Sequence, residues 1–209
     1  MKKSFLILAV LIPMFAMAQN TMRHSLEVGA GVLHTKNYAN VMNNCGWNGS
    51  IQYAFGPINH LDVVARFTAG NGVDGGLRIE DDRVSMLTYN TYDFRVGVRG
   101  YVDFGKIWSA KLTGFLGGEG VPSVVDRYYD GTGRGTVTYS YSGSAFIGGF
   151  TLEMALKIAS HVNLGLYYDC VGTISKNVSE ISLVEEGESM SALSLPMAHT
   201  VGLKLGFDL

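Results

Sequence analysis

The stretch Tyr92-Asp93-Phe94-Arg95-Val96-Gly97-Val98-Arg99-Gly100-Tyr101-Val102-Asp103 decides the fold. Tyr92, Phe94, Val96, Val98 and Val102 alternate with Asp93, Arg95, Arg99, Tyr101 and Asp103. A period of two puts successive side chains on opposite faces of a strand, so this segment has one apolar and one charged face. A helix would spread the same charges around its circumference.

The alternation recurs along the chain. Leu26, Val28, Ala30 and Val32 oppose Glu27, Gly29 and Gly31 in a strand from about His24 to Leu33. Ile51, Tyr53 and Phe55 oppose Asn48, Ser50 and Gln52; after Gly56-Pro57-Ile58-Asn59-His60, Leu61, Val63, Ala65, Phe67 and Ala69 oppose Asp62, Arg66 and Thr68. Beyond the opening segment, Leu112 and Leu116 oppose Lys111 and Thr113, and Phe146, Phe150, Leu152, Met154 and Leu156 oppose Thr151, Glu153 and Lys157. Val162, Leu164, Leu166 and Tyr168 oppose Asn163, Tyr167 and Asp169, and a final strand sets Val201, Leu203, Leu205, Phe207 and Leu209 against Thr200, Lys204 and Asp208. Eight strands are expected in a single domain.

Composition agrees. The 209 residues include 27 Gly and only 16% charged residues, against averages of about 7% Gly and about 25% charge. With 47% hydrophobic residues the chain is not disordered, and its Gly has no three-residue period. A formal charge of -2 and a pI near 6.2 leave no basic footprint, which excludes a dedicated nucleic-acid binder. Lys2 and Lys3, an apolar run from Phe5 to Phe15 and Ala16-Met17-Ala18 read as a signal peptide over residues 1–18, with a barrel domain over 19–209. Cleavage before Gln19 takes the formal charge from -2 to -4. The two cysteines, Cys45 and Cys170, have no second Cys or His at ligand spacing along the chain, so neither a metal nor a cofactor is expected. They are expected as two free thiols, with Cys45 in a loop and Cys170 facing lipid near the interface.

The connections alternate in length. Those after strands two, four and six are short, whereas long loops are expected near residues 34–47, 71–89, 119–143 and 173–196. An up-and-down arrangement gathers all the short turns at one end, as in transmembrane barrels. Glu27, Asp62, Asp93, Asp103, Glu153, Asp169 and Asp208, with Arg66, Arg95, Arg99, Lys111, Lys157 and Lys204, all oppose the apolar faces. Strands carrying several charges give this agreement by chance roughly once in 64.

Periodicity does not say which face is wet. A soluble periplasmic barrel binding an apolar ligand would bury the apolar face; a membrane barrel reverses it. Aromatics near the strand ends favour the membrane, with Trp47, Phe67, Tyr92, Phe94, Phe146 and Tyr168 towards the long loops and Tyr53, Phe55, Trp108 and Phe207 towards the short turns. Eight strands enclose a lumen just wide enough for side chains, so the thirteen charges are expected to pair inside it as a plug.

With Thr200, Gly202, Leu205 and Phe207 the last strand resembles the carboxyl-terminal signal read by the barrel-assembly machinery, although Asp208 and Leu209 follow the aromatic where the usual signal ends. The whole pattern resembles the small eight-stranded outer-membrane β-barrel proteins of Gram-negative bacteria, and more narrowly the barrel-domain proteins common in Bacteroidetes. The resemblance implies an all-β, antiparallel up-and-down transmembrane barrel in outer-membrane lipid, without a catalytic motif. Some such barrels are lipid-modifying enzymes, but His24-Ser25 and His199-Thr200 lack the spacing of their His and Ser, and adjacent strand residues point to opposite faces.

Gly131-Thr132-Gly133-Arg134-Gly135 has no following Lys-Ser/Thr to make a phosphate cradle. Recognition of an extracellular ligand is better sought in exposed segments on a rigid scaffold. Arg127, Tyr128, Tyr129, Arg134, Tyr139 and Tyr141 are the candidate contacts, being residue types that anchor interfaces. The expected function is non-enzymatic: an envelope structural or adhesion-type barrel presenting four long surface segments. Both termini should then lie on the periplasmic side. Tags inserted near Pro57 or Ser160 should be inaccessible from outside intact cells, and surface labelling at either position would overturn this topology.

Overall fold

The computed structural model describes residues 22–35, 44–80, 83–130, 133–178, 181–182, 189–190 and 198–209. The expected leader, residues 1–18, lies outside them. The strands are β1 (Arg23–Thr35), β2 (Asn44–Ile58), β3 (Leu61–Glu80), β4 (Arg83–Phe104), β5 (Trp108–Asp130), β6 (Gly133–Ala159), β7 (Val162–Val178), β8 (Ile181–Ser182), β9 (Ser189–Met190) and β10 (Ala198–Asp208). Eight of them close a barrel in the order β1-β10-β7-β6-β5-β4-β3-β2, every pair antiparallel; β8 and β9 form a separate two-residue ladder.

Burial alternates with the pleat, and it is inverted relative to a soluble protein. Phe94, Val96 and Val98 are about half exposed on the outer face, while Asp93, Arg95 and Arg99 are buried inside. Trp47, Phe67, Tyr92 and Phe146 are exposed towards one end, and Tyr53, Trp108 and Phe207 towards the other. An outer surface of this kind is stable only against an apolar medium.

Glycine makes the narrow lumen possible. Phe115 and Tyr167 point inward, and their direct partners on the adjacent strands, Gly97 and Gly202, are glycines. A Cβ on Gly97 would stand 2.9 Å from the Phe115 side chain, and one on Gly202 would stand 2.7 Å from the Tyr167 ring. Phe115 also packs with Ala145, Ile147 and Val171 in an apolar cluster inside the barrel. At the turn between β4 and β5, Gly105 has φ of 70°, a conformation that favours glycine.

Two expectations about strand ends are corrected. The segments 71–89 and 119–143 are not long loops: β3 and β4 are 20 and 22 residues long, β5 and β6 are 23 and 27. A tilted crossing needs only about 9–11 residues, so these strands continue well past it. They stay paired, β3 with β4 to Glu80↔Arg83, β4 with β5 to Val84↔Tyr129, and β5 with β6 to Asp130↔Gly133. Pro122 sits where the β5–β6 register shifts between Val121 and Ser123, a place that tolerates a residue without an N–H. Cys45 likewise lies in β2, opposite His34, and not in a loop.

The last strand completes the closure. Thr200 is buried inside and accepts a 2.8 Å hydrogen bond from Asn48 Nδ2; Gly202 faces Tyr167, and Leu205 and Phe207 are exposed outside. Asp208 and Leu209 are part of the barrel: their N–H groups donate to the carbonyls of His161 (2.9 Å) and His24 (2.8 Å).

A Cβ on Gly149 would stand 1.9 Å from the Cys170 carbonyl oxygen, whereas one on outward-facing Gly114 meets nothing within 4 Å. Gly149→Ala should therefore cost about 1–3 kcal/mol and Gly114→Ala less than about 0.5 kcal/mol, measured by urea unfolding in detergent. Equal effects would show that the lumen has room for a side chain at Gly149.

Candidate functional site

The inward face is a charge network built in two tiers. In the lower tier, nearer the short turns, Arg99 binds Glu27 and Asp62, the latter at 2.7 Å. Lys111 and Lys204 each reach Glu153 at 2.7 Å and also contact Glu27, at 3.4 and 3.3 Å. In the upper tier Arg95 binds Asp93 at 2.6 Å and Asp169 at 2.5 Å, and Arg66 reaches the other oxygen of Asp169 at 3.2 Å.

Asp169 resolves a local conflict. Arg66 and Arg95 are direct cross-strand partners on β3 and β4, and like charges in that relation repel. The carboxylate that separates them comes from β7, across the lumen, and is itself held by Thr151 Oγ1 at 2.6 Å. Gln52 joins the tiers: its Nε2 donates to Glu27 (2.6 Å) and its Oε1 accepts from Arg66 Nε (2.8 Å). Phe115 lies beneath the Arg95 guanidinium, 4.7 Å from ring centroid to Cζ, and Lys204 Nζ stands 5.2 Å from the Tyr167 ring.

Of the thirteen expected charges, ten enter this network: Glu27, Asp62, Arg66, Asp93, Arg95, Arg99, Lys111, Glu153, Asp169 and Lys204. Asp103, Lys157 and Asp208 do not. They are exposed at the short-turn rim, lining an open vestibule of about 390 Å³ with Arg23 and Lys106. Their parity is that of the lumen, but they lie at strand ends, where water reaches them. Without them, five acids face five bases.

The residues missed by sequence reasoning are neutral or outlying. Gln52 is 1% exposed, Ile147 is 0% exposed and Tyr167 is 3% exposed. Each has inward parity, which was the available signal. Glu119, half-buried, stands opposite Asp93 beyond the balanced tiers.

The candidate recognition residues lie on strands. Arg127↔Thr136, Tyr128↔Gly135, Tyr129↔Arg134 and Val124↔Tyr139 are cross-strand pairs, with Tyr141 on the same arm of β6. From Asn90 to Val84 and from Ser123 to Tyr129 the ladder between β4 and β5 also continues. Four strands thus form one sheet rising from one side of the barrel, about 20 Å beyond Asn90 at about 3.3 Å per residue.

No family model matches the chain, and no curated protein matches it by sequence. Among solved structures it is similar to Neisserial surface protein A, with a TM-score of 0.52 and 10% identity over 89% of this chain and 97% of that one. It is also similar to a major outer membrane protein from Thermus thermophilus (TM-score 0.52, 12% identity, 91% and 100% covered). Ail, the attachment invasion locus protein of Yersinia pestis, matches with a TM-score of 0.50 and 12% identity over 90% of this chain and 98% of that one. At such identities the likeness shows the fold.

Asp169→Ala would leave Arg66 and Arg95 facing each other in a buried site, at an expected cost of about 3–5 kcal/mol. Asp103→Ala at the rim should cost less than about 0.5 kcal/mol. Urea midpoints of the two variants in the same detergent compare them directly, and equal midpoints would show that the buried pairing carries no stability.

Proposed function

We propose that the chain is an integral outer-membrane barrel, non-enzymatic, that presents its long strands and their connections to the outside as a structural or adhesion-type surface. The observation that carries this reading is the emergent four-stranded sheet of β3 to β6, mounted on a barrel whose interior is occupied by side chains. A charged, filled lumen also disfavours the soluble alternative, since an apolar ligand would have to displace paired ions. The fold shared with a Neisserial surface protein and with an attachment invasion locus protein supports a surface role. Outer-membrane lipid covers the apolar face, and the barrel-assembly machinery engages β10 through Thr200, Gly202, Leu205 and Phe207 during insertion. The leader directs export and is cleaved before Gln19. Membership of the Bacteroidetes-type barrel proteins belongs to the same proposal.

Arg127, Tyr128, Tyr129, Arg134, Tyr139 and Tyr141 are the proposed contacts for an extracellular ligand. The ladder permits a clean test, because Ser123 pairs with Ser140. Replacing residues 124–139 by an Asn-Gly turn shortens one hairpin without touching the barrel. The shortened protein should keep heat-modifiable migration on unboiled gels, and cells displaying it should adhere less to host surfaces or extracellular matrix than cells displaying the full chain. Unchanged adherence across such a panel would count against the adhesion reading, and loss of heat-modifiability in the full chain would count against the barrel in a membrane.

A further inference from the structure

The four seams at the short-turn end share one construction. The carbonyl of His60, in the turn from β2 to β3, accepts a hydrogen bond from the Tyr101 N–H on β4 at 3.1 Å; that of Ile107, in the turn from β4 to β5, accepts from the Lys157 N–H on β6 at 2.7 Å. His161, between β6 and β7, accepts from Asp208 on β10 at 2.9 Å, and His24 on β1 accepts from Leu209 at 2.8 Å. Each turn is pinned in this way to a strand beyond its own hairpin, and a carbonyl that would repel an incoming anion is already occupied.

Donors remain at the tips. His60 follows Asn59, Lys106 follows Gly105 and His161 follows Ser160; all three are exposed, and none of the three turns holds a carboxylate. The His60 ring rests on Tyr101 at 5.1 Å. His24 shares the outward parity of Leu26 and Val28, and its Nδ1 lies 2.5 Å from the Tyr53 hydroxyl. With the phenol donating, Nε2 carries the hydrogen. The acids at this end are turned the other way: Asp62 is buried against Arg99, and Asp103 and Asp208 line the vestibule.

The apolar surface sets the depth of these tips. Ile58, Ile107 and Ile158 are exposed beside the three turn donors, and Leu209 is exposed beside His24. Apolar side chains thus continue past the aromatic level of Tyr53, Trp108 and Phe207 to the ends of the hairpins, which places the tips in the headgroup layer.

Imidazole N–H groups and an ammonium, set beside apolar surface and without a carboxylate, suit a lipid phosphate whose acyl chains cover the isoleucines. A zwitterionic headgroup brings an ammonium of its own, which meets no partner on these turns. A headgroup of net negative charge brings none. We infer that the short-turn rim binds anionic phospholipids of the periplasmic leaflet, with their phosphates against His24, His60, Lys106 and His161. The inference rests on the membrane reading above and adds to it the class of headgroup.

The two tryptophans report from opposite ends, Trp108 beside Ile107 and Trp47 at the long-strand end. The protein carrying Trp47→Phe is reconstituted into vesicles of equal parts phosphatidylcholine and phosphatidylglycerol, with one lipid or the other brominated near the glycerol end of its chains. Quenching of Trp108 should favour brominated phosphatidylglycerol roughly twofold or more, whereas Trp47, read in Trp108→Phe, should show no preference. Lys106→Ala with His161→Ala should bring Trp108 to equality, and Lys106→Arg should keep the preference. Heat-modifiable migration reports that each variant is folded. Equal quenching of Trp108 by the two lipids, a preference of the same size at Trp47, or one that survives the double substitution would overturn the assignment. No quenching by either lipid would overturn the membrane reading and this inference together.

Discussion

The structure depends on a carboxylate placed between two guanidinium groups. Arg66 and Arg95 face each other across adjacent strands, and Asp169 reaches them from the opposite wall. A pair from neighbouring strands would hold only those strands together, whereas a bridge across the lumen resists widening of the whole barrel. Thr151 and Asp93 add hydrogen bonds to Asp169 and Arg95, so these buried charges meet partners with good geometry, while Arg66 Nη2 is left without one. That condition separates a favourable buried ion cluster from a costly one.

The interior leaves little room for anything else because inward side chains occupy it. Inward glycines at 97, 149 and 202 let Phe115 and Tyr167 lie flat among the charges. The aromatic rings exclude water from the ion pairs and offer their faces to Arg95 and Lys204. The high glycine content that marked the sequence is thus a requirement of lumen packing as well as of turns.

The eight crossings were legible because lipid and lumen impose opposite chemistry on alternate residues, as in Phe94-Arg95-Val96. Beyond the membrane both faces meet water and the contrast ends. Thr136-Val137-Thr138-Tyr139 therefore read as a loop, although it is strand. Parity reports the face of a residue and says nothing of its depth, so Asp103, Lys157 and Asp208 were grouped with the buried charges. Neutral Gln52 carried no charge signal, and the bond between Leu209 and the His24 carbonyl exists only once the first and last strands meet.

Gln52 has a consequence for how this interior can change over generations. The lower tier sets Glu27, Asp62 and Glu153 against Arg99, Lys111 and Lys204; the upper sets Asp93 and Asp169 against Arg66 and Arg95. Counting the buried charges, each tier is neutral by itself, with Arg23 at the open rim adding a 3.4 Å contact to Asp62, and a neutral amide links the tiers. A charge lost in one tier can be compensated within that tier. The two halves of the lumen are thus free to drift as separate blocks, each under its own constraint of neutrality, while Gln52 stays under constraint from both.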